Sequence, residues 1–330
     1  MTAQLGIVIP AHDEERGIGR LLVRLLADAA PGEFDVVVVC NGCTDGTARA
    51  AAAYGPAVRV VETPAAGKHR ALRLGDEHTD TFPRIYLDAD VELGASDIRG
   101  IADAVRQRVS QLRAPAEAAE PEAADALGSA SPPVLAAAPE RRLARTGVSW
   151  RVRWFYEIWL RLPGVRDGLY GRGVIALSEE GWRRIAELPP LMGDDLAVSA
   201  LFQPHERRIV TGAIVVIHPP RTWADLIRRR IRAMTATAQF EQSAVTTANT
   251  RTGKSDLLAV LRAEPRLAPH VVLFAAVAVI SRRKARRAIA SGDFSTWLRD
   301  DSSRGGDSHG YSSHDGGSHD GGSGNGGQAG

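Results

Sequence analysis

The acidic and amide residues most suited to chemistry stand directly after apolar runs of this sequence. Asp88-Ala-Asp90 follows Arg84-Ile-Tyr-Leu87. On an extended segment, residues i and i+2 point to the same side, so both carboxylates can converge on one cation. Hard oxygen donors suit Mg²⁺ or Mn²⁺, which are usually held jointly with a substrate diphosphate rather than in an all-protein cage. Two surface aspartates in a turn would give the same tripeptide, but other strand ends repeat the pattern. Pro10-Ala-His-Asp-Glu-Glu15 follows one apolar run, and Cys40-Asn-Gly-Cys-Thr-Asp-Gly-Thr47 follows another. Cys40-x-x-Cys43 is also spaced as a redox dithiol. The chain holds 2 cysteines, so no second pair exists to complete a zinc site, and the other polar residues of the loop speak against the dithiol.

These groups need a scaffold that brings strand ends together. Leu5 to Pro10, Phe34 to Cys40, Val58 to Val61 and Arg84 to Leu87 read as buried strands. Between them, Ile18 to Leu26, Thr47 to Tyr54 and Lys68 to Asp76 carry helical patterns. Further on, Val134 to Ala138, Val174 to Leu177 and Ile209 to Ile217 read as strands. Ser149 to Leu162 and Trp223 to Phe240 read as helices. Strands alternating with helices predict an α/β fold with a doubly wound, mostly parallel sheet and flanking helices. Its ligands would sit in the crevice at the strands' carboxyl ends.

Composition sets the boundaries. The 330 residues hold 41 Lys+Arg against 39 Asp+Glu, which does not suggest a nucleic-acid partner. Residues 114–131 interrupt the strand and helix rhythm with Ala, Glu, Pro115 and Pro121 and read as a flexible insertion. Residues 301–330 are Gly, Ser, Asp and His with little apolar surface and read as a disordered tail. Three parts are expected: a domain over 1–250, a helical segment over 251–300, and the tail. Met1 leads into a strand-like run rather than a signal sequence, so a cytoplasmic location is expected.

In order along the chain stand Val8-Ile-Pro-Ala-His-Asp-Glu-Glu15, Asn41-Gly-Cys-Thr-Asp-Gly-Thr47 and Gly67-Lys-His-Arg-Ala-Leu72. Tyr86-Leu-Asp-Ala-Asp90, Gly171-Arg-Gly173 and Gly193-Asp-Asp195 follow. Taken as a set, over roughly residues 4–240, these resemble the family 2 glycosyltransferases with their GT-A fold. The resemblance implies a nucleotide-sugar donor (a UDP-sugar foremost), a hydroxyl acceptor, a divalent cation (Mg or Mn) and inversion at the anomeric carbon. It implies that Pro10, Ala11 and Glu14 line the nucleotide pocket beside Asn41, where the family commonly has an acidic residue facing the base. Lys68 would approach the nucleotide or diphosphate. Asp88 would contact the ribose or the cation, and Asp90 the cation. Of the pair Asp194-Asp195, the second would be the general base that takes the acceptor hydroxyl's proton.

Two positions carry two readings each. Arg230, in Ile227-Arg-Arg-Arg-Ile231, lies where processive members have Gln-x-x-Arg-Trp. It either neutralises the leaving diphosphate or belongs to a solvated basic helix face, and without the Gln and Trp long-chain synthesis is not supported. His218 is either a third metal ligand or a structural histidine. Trp150, Trp154 and Trp159 offer an acceptor platform, although burial is the commoner fate of such side chains. Val271 to Ile280 is shorter than the ~20 apolar residues of a bilayer span. With Arg282 to Arg287 behind it, the run reads as a buried helix or as a peripheral anchor at the inner membrane face, which would suit a lipid-linked acceptor; a small metabolite is the other acceptor expected. A sugar-phosphate nucleotidyltransferase would want a basic, glycine-rich first loop, which Ala11-His-Asp-Glu-Glu15 is not. A non-catalytic sugar-nucleotide module would not need both Asp90 and Asp195.

Overall fold

The computed structural model describes residues 4–106, 133–187, 194–242 and 253–290; side chains at 194–197, 235–242 and 288–290 are not described. The expected insertion at 114–131 and the tail at 301–330 lie outside these residues.

Seven strands form one sheet in the order β3-β2-β1-β4-β6-β5-β7. They are β1 (Leu5–Ala11), β2 (Phe34–Asn41), β3 (Val58–Thr63), β4 (Arg84–Leu87), β5 (Ala136–Leu143), β6 (Val174–Leu177) and β7 (Arg207–Ile217). The first four run parallel, with Ala11 level with Cys40 and Val8 level with Tyr86. β6 is antiparallel to both β4 and β5. Both faces of the parallel half are covered, so its strands are continuous apolar runs rather than alternating ones. Ile7, Ile9, Val36, Val38, Ile85 and Leu87 face α1 (Glu15–Leu26) and α4 (Ala95–Arg106). On the other face, Val37 and Val39 meet Ala71 of α3 (Lys68–Asp76), and Val8 and Tyr86 join Leu169, Val198 and Phe202.

Two elements differ from the sequence reading. β5 continues past the apolar run through Glu140-Arg-Arg-Leu143, because its pairing with β7 resumes after a bulge at Pro139/Glu140. α4 was not read from the sequence, although Ile98, Ile101, Ala102 and Val105 form its buried stripe.

A second core lies away from the sheet. It joins α5 (Trp150–Trp159), α6 (Pro163–Asp167), α9 (Trp223–Gln242), α10 (Lys254–Ala263) and α11 (Ala268–Ala290), with α7 (Glu179–Ala186) and α8 (Asp194–Leu201) remaining near the sheet. Phe155 stacks on Phe274 with ring centroids 4.9 Å apart, and Ile227, Ile231, Val271 and Val277 surround them. The helices after residue 253 therefore share one core with residues 148–165 and 226–231.

Candidate functional site at the carboxyl ends of the strands

Parallel register puts the ends of β1, β2 and β4 at one edge of the sheet, and side-chain bonds tie their loops together. Asn41, the last residue of β2, is buried, with 3% exposure. Its Nδ2 donates to the Ala11 carbonyl at 2.7 Å, and its Oδ1 accepts from the Gly67 N–H at 2.9 Å. The amide thus bonds β1 on one side and the turn before α3 on the other. An acid at this position could not donate to Ala11 while ionised, which gives this chain's asparagine a structural reason of its own. Asp13 accepts from the Thr44 N–H at 2.7 Å, and Asp45 accepts from the N–H groups of Glu15 and Thr47. Glu14 is buried and its N–H donates to the Thr47 hydroxyl at 2.7 Å, so it supports the loop from behind. Ala11 is buried and Pro10 is half-buried.

Lys68 opens α3 and reaches across to Asp88, Nζ to Oδ1 2.7 Å. Both side chains are partly exposed, so the bridge adds little stability. Its consequence is positional: a cation stands beside the first carboxylate of Asp-x-Asp. Asp90 is exposed and no described residue bonds to it. The antiparallel β6 completes the edge. Since Leu87 pairs with Val174, the loop before β6 must arrive where β4 ends, and the Asp88 N–H donates to the Gly173 carbonyl at 2.7 Å. Gly173 has φ +67°, and a Cβ there would meet Val91 Cγ1 at 2.5 Å and Asp88 Oδ2 at 3.3 Å, so only glycine fits. Arg172 between the two glycines is buried and donates to the carbonyls of Gly168, Pro139 and Arg166. Burial pulls its pKa down to about 9. It holds the loop.

The remaining expected residues are spread more widely. Asp194 and Asp195 are the first residues of α8, whose Ser199 hydroxyl accepts from the Leu169 N–H at 3.1 Å; this anchors α8 to the segment leading into Gly171–Gly173. Their side chains lie outside the described residues. Nε2 of His218 meets Glu92 Oε1 at 3.0 Å, and Glu92 also pairs with Arg24; none of its described contacts runs to Asp88 or Asp90. Arg230 does not lie on a solvated basic face. Its Nε is enclosed without a hydrogen-bond partner, its guanidinium lies 5.7 Å from the Phe155 ring, and burial lowers its pKa. Arg228, two residues earlier and on the opposite side of the helix, is exposed and pairs with Asp225. Trp154 and Trp159 are half-buried while Trp150 stays 49% exposed.

The dithiol reading weakens here. Cys40 is buried and its thiol is pushed up to about 12, first by desolvation and then by Cys43, so it supplies no thiolate near neutral pH. Sequence reasoning had not grouped His12, Asp13 and Cys43, whose ligand atoms lie within 4.8 Å of one another. His12 Nδ1 already bonds the Asn41 carbonyl at 2.6 Å, so the ring also serves the loop clamp.

Residues 6–112 match the family model for glycosyl transferase family 2. Over 91 residues the chain is 41% identical to a 4,4'-diaponeurosporenoate glycosyltransferase of Staphylococcus aureus (strain bovine RF122 / ET3-1), and equally to that of strain USA300. Each alignment covers 26% of this chain and 24% of the relative, so the match spans about a quarter of those curated proteins. Among solved structures, a mannosyltransferase from Pyrobaculum calidifontis in complex with GDP-Man and Mn²⁺ aligns with TM-score 0.53 at 20% identity. That alignment covers 88% of this chain and 80% of the other. The two share a fold, the GT-A arrangement of a mostly parallel sheet with flanking helices. The matched residues 6–112, the part that contains Asn41, Lys68, Asp88 and Asp90, are similar to glycosyl transferase family 2.

Proposed function

We propose that this protein transfers a sugar from a nucleotide-diphosphate sugar to an acceptor hydroxyl, with inversion. One observation carries the reading: Asn41, Lys68, Asp88 and Asp90, far apart in sequence, stand at one edge of the sheet with the Gly171–Gly173 loop closing it. The matched family model and the GDP-Man and Mn²⁺ complex of the structural neighbour support it.

The residues fit a divalent cation. Asp88 and Asp90 offer hard oxygens two residues apart at a strand end, and Asp90 is exposed. Held by Asp88 and Asp90, Mg²⁺ or Mn²⁺ would supply positive charge to offset that of the donor's diphosphate. Lys68 then exchanges its bridge to Asp88 for a phosphate oxygen, while Asn41 keeps the Gly67–Lys68 turn at a fixed distance from β1. Pro10 and Ala11 form the floor under the nucleotide. Asp195, at the start of α8, takes the proton from the acceptor hydroxyl as that oxygen attacks the anomeric carbon, and the nucleoside diphosphate leaves. Arg230, enclosed in the helical core beside Phe155, would lend positive potential to the departing diphosphate.

The test is a panel of UDP- and GDP-sugars with Mn²⁺, read as thermal stabilisation and slow donor hydrolysis. Stabilisation by at least one donor and its nucleoside diphosphate is expected. No stabilisation by any donor would refute the reading. Asp90→Ala should abolish Mn²⁺-dependent nucleotide binding in calorimetry; undiminished affinity in the folded variant would overturn the cation assignment alone.

A further inference from the structure

α11 has two faces of different fate. Val271, Phe274, Val277, Ser281 and Ala285 are buried in the helical core. The opposite face is apolar too, yet it points outward: Val272 is 70% exposed, Val279 47% and Ile280 37%, with Ala268, Ala275 and Ala276 exposed beside them. At helical spacing, positions 272, 276, 279, 280, 283 and 287 form one stripe. The stripe is apolar in its first turns and basic in its last, where Arg282, Arg283, Lys284, Arg286 and Arg287 are all exposed. Residues 268–290 contain no carboxylate, and no described residue pairs with any of these five cations. At the other end, His270 stacks on Trp154 at 4.2 Å and Trp154 meets the exposed Trp150 at 5.0 Å, which sets an indole beside the first turn.

We propose that this outer face of α11 seats on an anionic bilayer surface, the helix lying in the headgroup plane with its apolar stripe in the acyl boundary. Contiguous exposed apolar side chains continuing into a cation cluster match that surface in both hydrophobicity and charge. An exposed tryptophan is a further interfacial feature. The apolar run 271–280 is itself shorter than a span, although the longer segment Pro265–Arg287 meets the length and composition of one. A spanning helix would have to withdraw Phe274 and Val277 from the core around Phe155, so the packing favours lying over crossing. A second copy of the chain would bring the same carboxylate-free helix against these cations, which disfavours self-association through this face. The proposal does not depend on the sugar-transfer reading.

The experiment is flotation of the full-length protein with vesicles of phosphatidylcholine alone or with phosphatidylglycerol added. Binding to the anionic vesicles, weakened by salt, is expected. Two variants separate the contributions: Val272→Glu with Ile280→Glu, and Arg283→Glu with Arg287→Glu. Each should lower partitioning roughly tenfold or more, since apolar insertion and surface charge act together. Both should melt like the parent, because the altered side chains are exposed. Absence of binding by the full-length protein, or undiminished binding by both variants, would overturn the proposal. So would retention of the protein in cell membranes after alkaline carbonate washing, which would indicate a span. A dimer that Ile280→Glu dissociates would reassign the face to a second copy, and preference for RNA over anionic vesicles would reassign it to nucleic acid.

Discussion

Replacing Asn41 by alanine would test the clamp that joins the strand ends. The side chain donates to the Ala11 carbonyl at 2.7 Å and, at 3.5 Å, to that of Val39, and it accepts from the Gly67 N–H at 2.9 Å. Ala11 is fully buried, so its carbonyl would keep only the weak Cys43 thiol donor at 3.5 Å, at a cost of up to about 1–3 kcal/mol. Gly67 is only half-buried and water can replace the lost partner, which limits that term to about 0.5–1.5 kcal/mol. The sum, about 1.5–4.5 kcal/mol, should lower Tm by roughly 3–18 °C in a chain of this size. A second effect follows from position. Lys68 adjoins Gly67 and meets Asp88 at 2.7 Å, so loosening the turn should weaken nucleoside-diphosphate binding beyond what the loss of stability explains. Urea unfolding gives the first number, and calorimetry with a nucleoside diphosphate and Mn²⁺, well below the variant's Tm, gives the second. A variant that melts and binds like the parent would refute the clamp. One that loses stability but not affinity would show that the turn is held in place by other contacts.

Asp195→Asn should cut kcat by roughly 10²–10⁴ with donor affinity nearly unchanged, because the amide keeps the shape but accepts no proton; Asp194→Asn should alter stability or acceptor KM instead, and the reverse pattern in steady-state kinetics would exchange the two roles. Phe274→Ala should cost about 3–5 kcal/mol in chemical denaturation, since a buried ring stacked on Phe155 would leave a cavity. An unchanged midpoint would detach α11 from the core. Arg99 holds the Glu33 carboxyl down at about 2, chiefly by hydrogen bonding. Its stabilisation is therefore complete above the usual carboxylate range, near pH 4.5, and is lost as pH falls toward 2. Glu33→Gln should make the melting temperature less dependent on pH in that window, though only slightly because the pair is solvent-screened.

Much of the sheet was legible from local pattern. β1, β2, β4 and β6 coincide with short apolar runs, and α3 begins at Lys68 and ends at Asp76 as its composition suggests. Such segments are read correctly because burial on both faces demands uninterrupted apolar residues, a requirement visible within a few positions. The resemblance to a family was legible for the same reason: most of its motifs lie at strand ends, where the backbone stops being constrained by the ladder.

What required the tertiary structure was every relation between segments. The antiparallel placement of β6 decides that Gly173 meets Asp88, and strand order is not written in any one strand. Asn41 was expected to face a nucleotide base, yet its bonds to Ala11 and Gly67 exist only once β1, β2 and the turn before α3 are assembled. Arg230 shows the limit most directly. Within Arg228-Arg-Arg230 the three side chains are chemically equal, but helical rotation turns one toward Phe155 and another toward solvent. Likewise residues 271–280 of α11 are apolar all round; the helix presents only one side to α5 and α9, and packing on that side determines which valines remain outside. Composition sets how much apolar surface a segment has, whereas the partner it packs against decides which part of that surface is left for something else to cover.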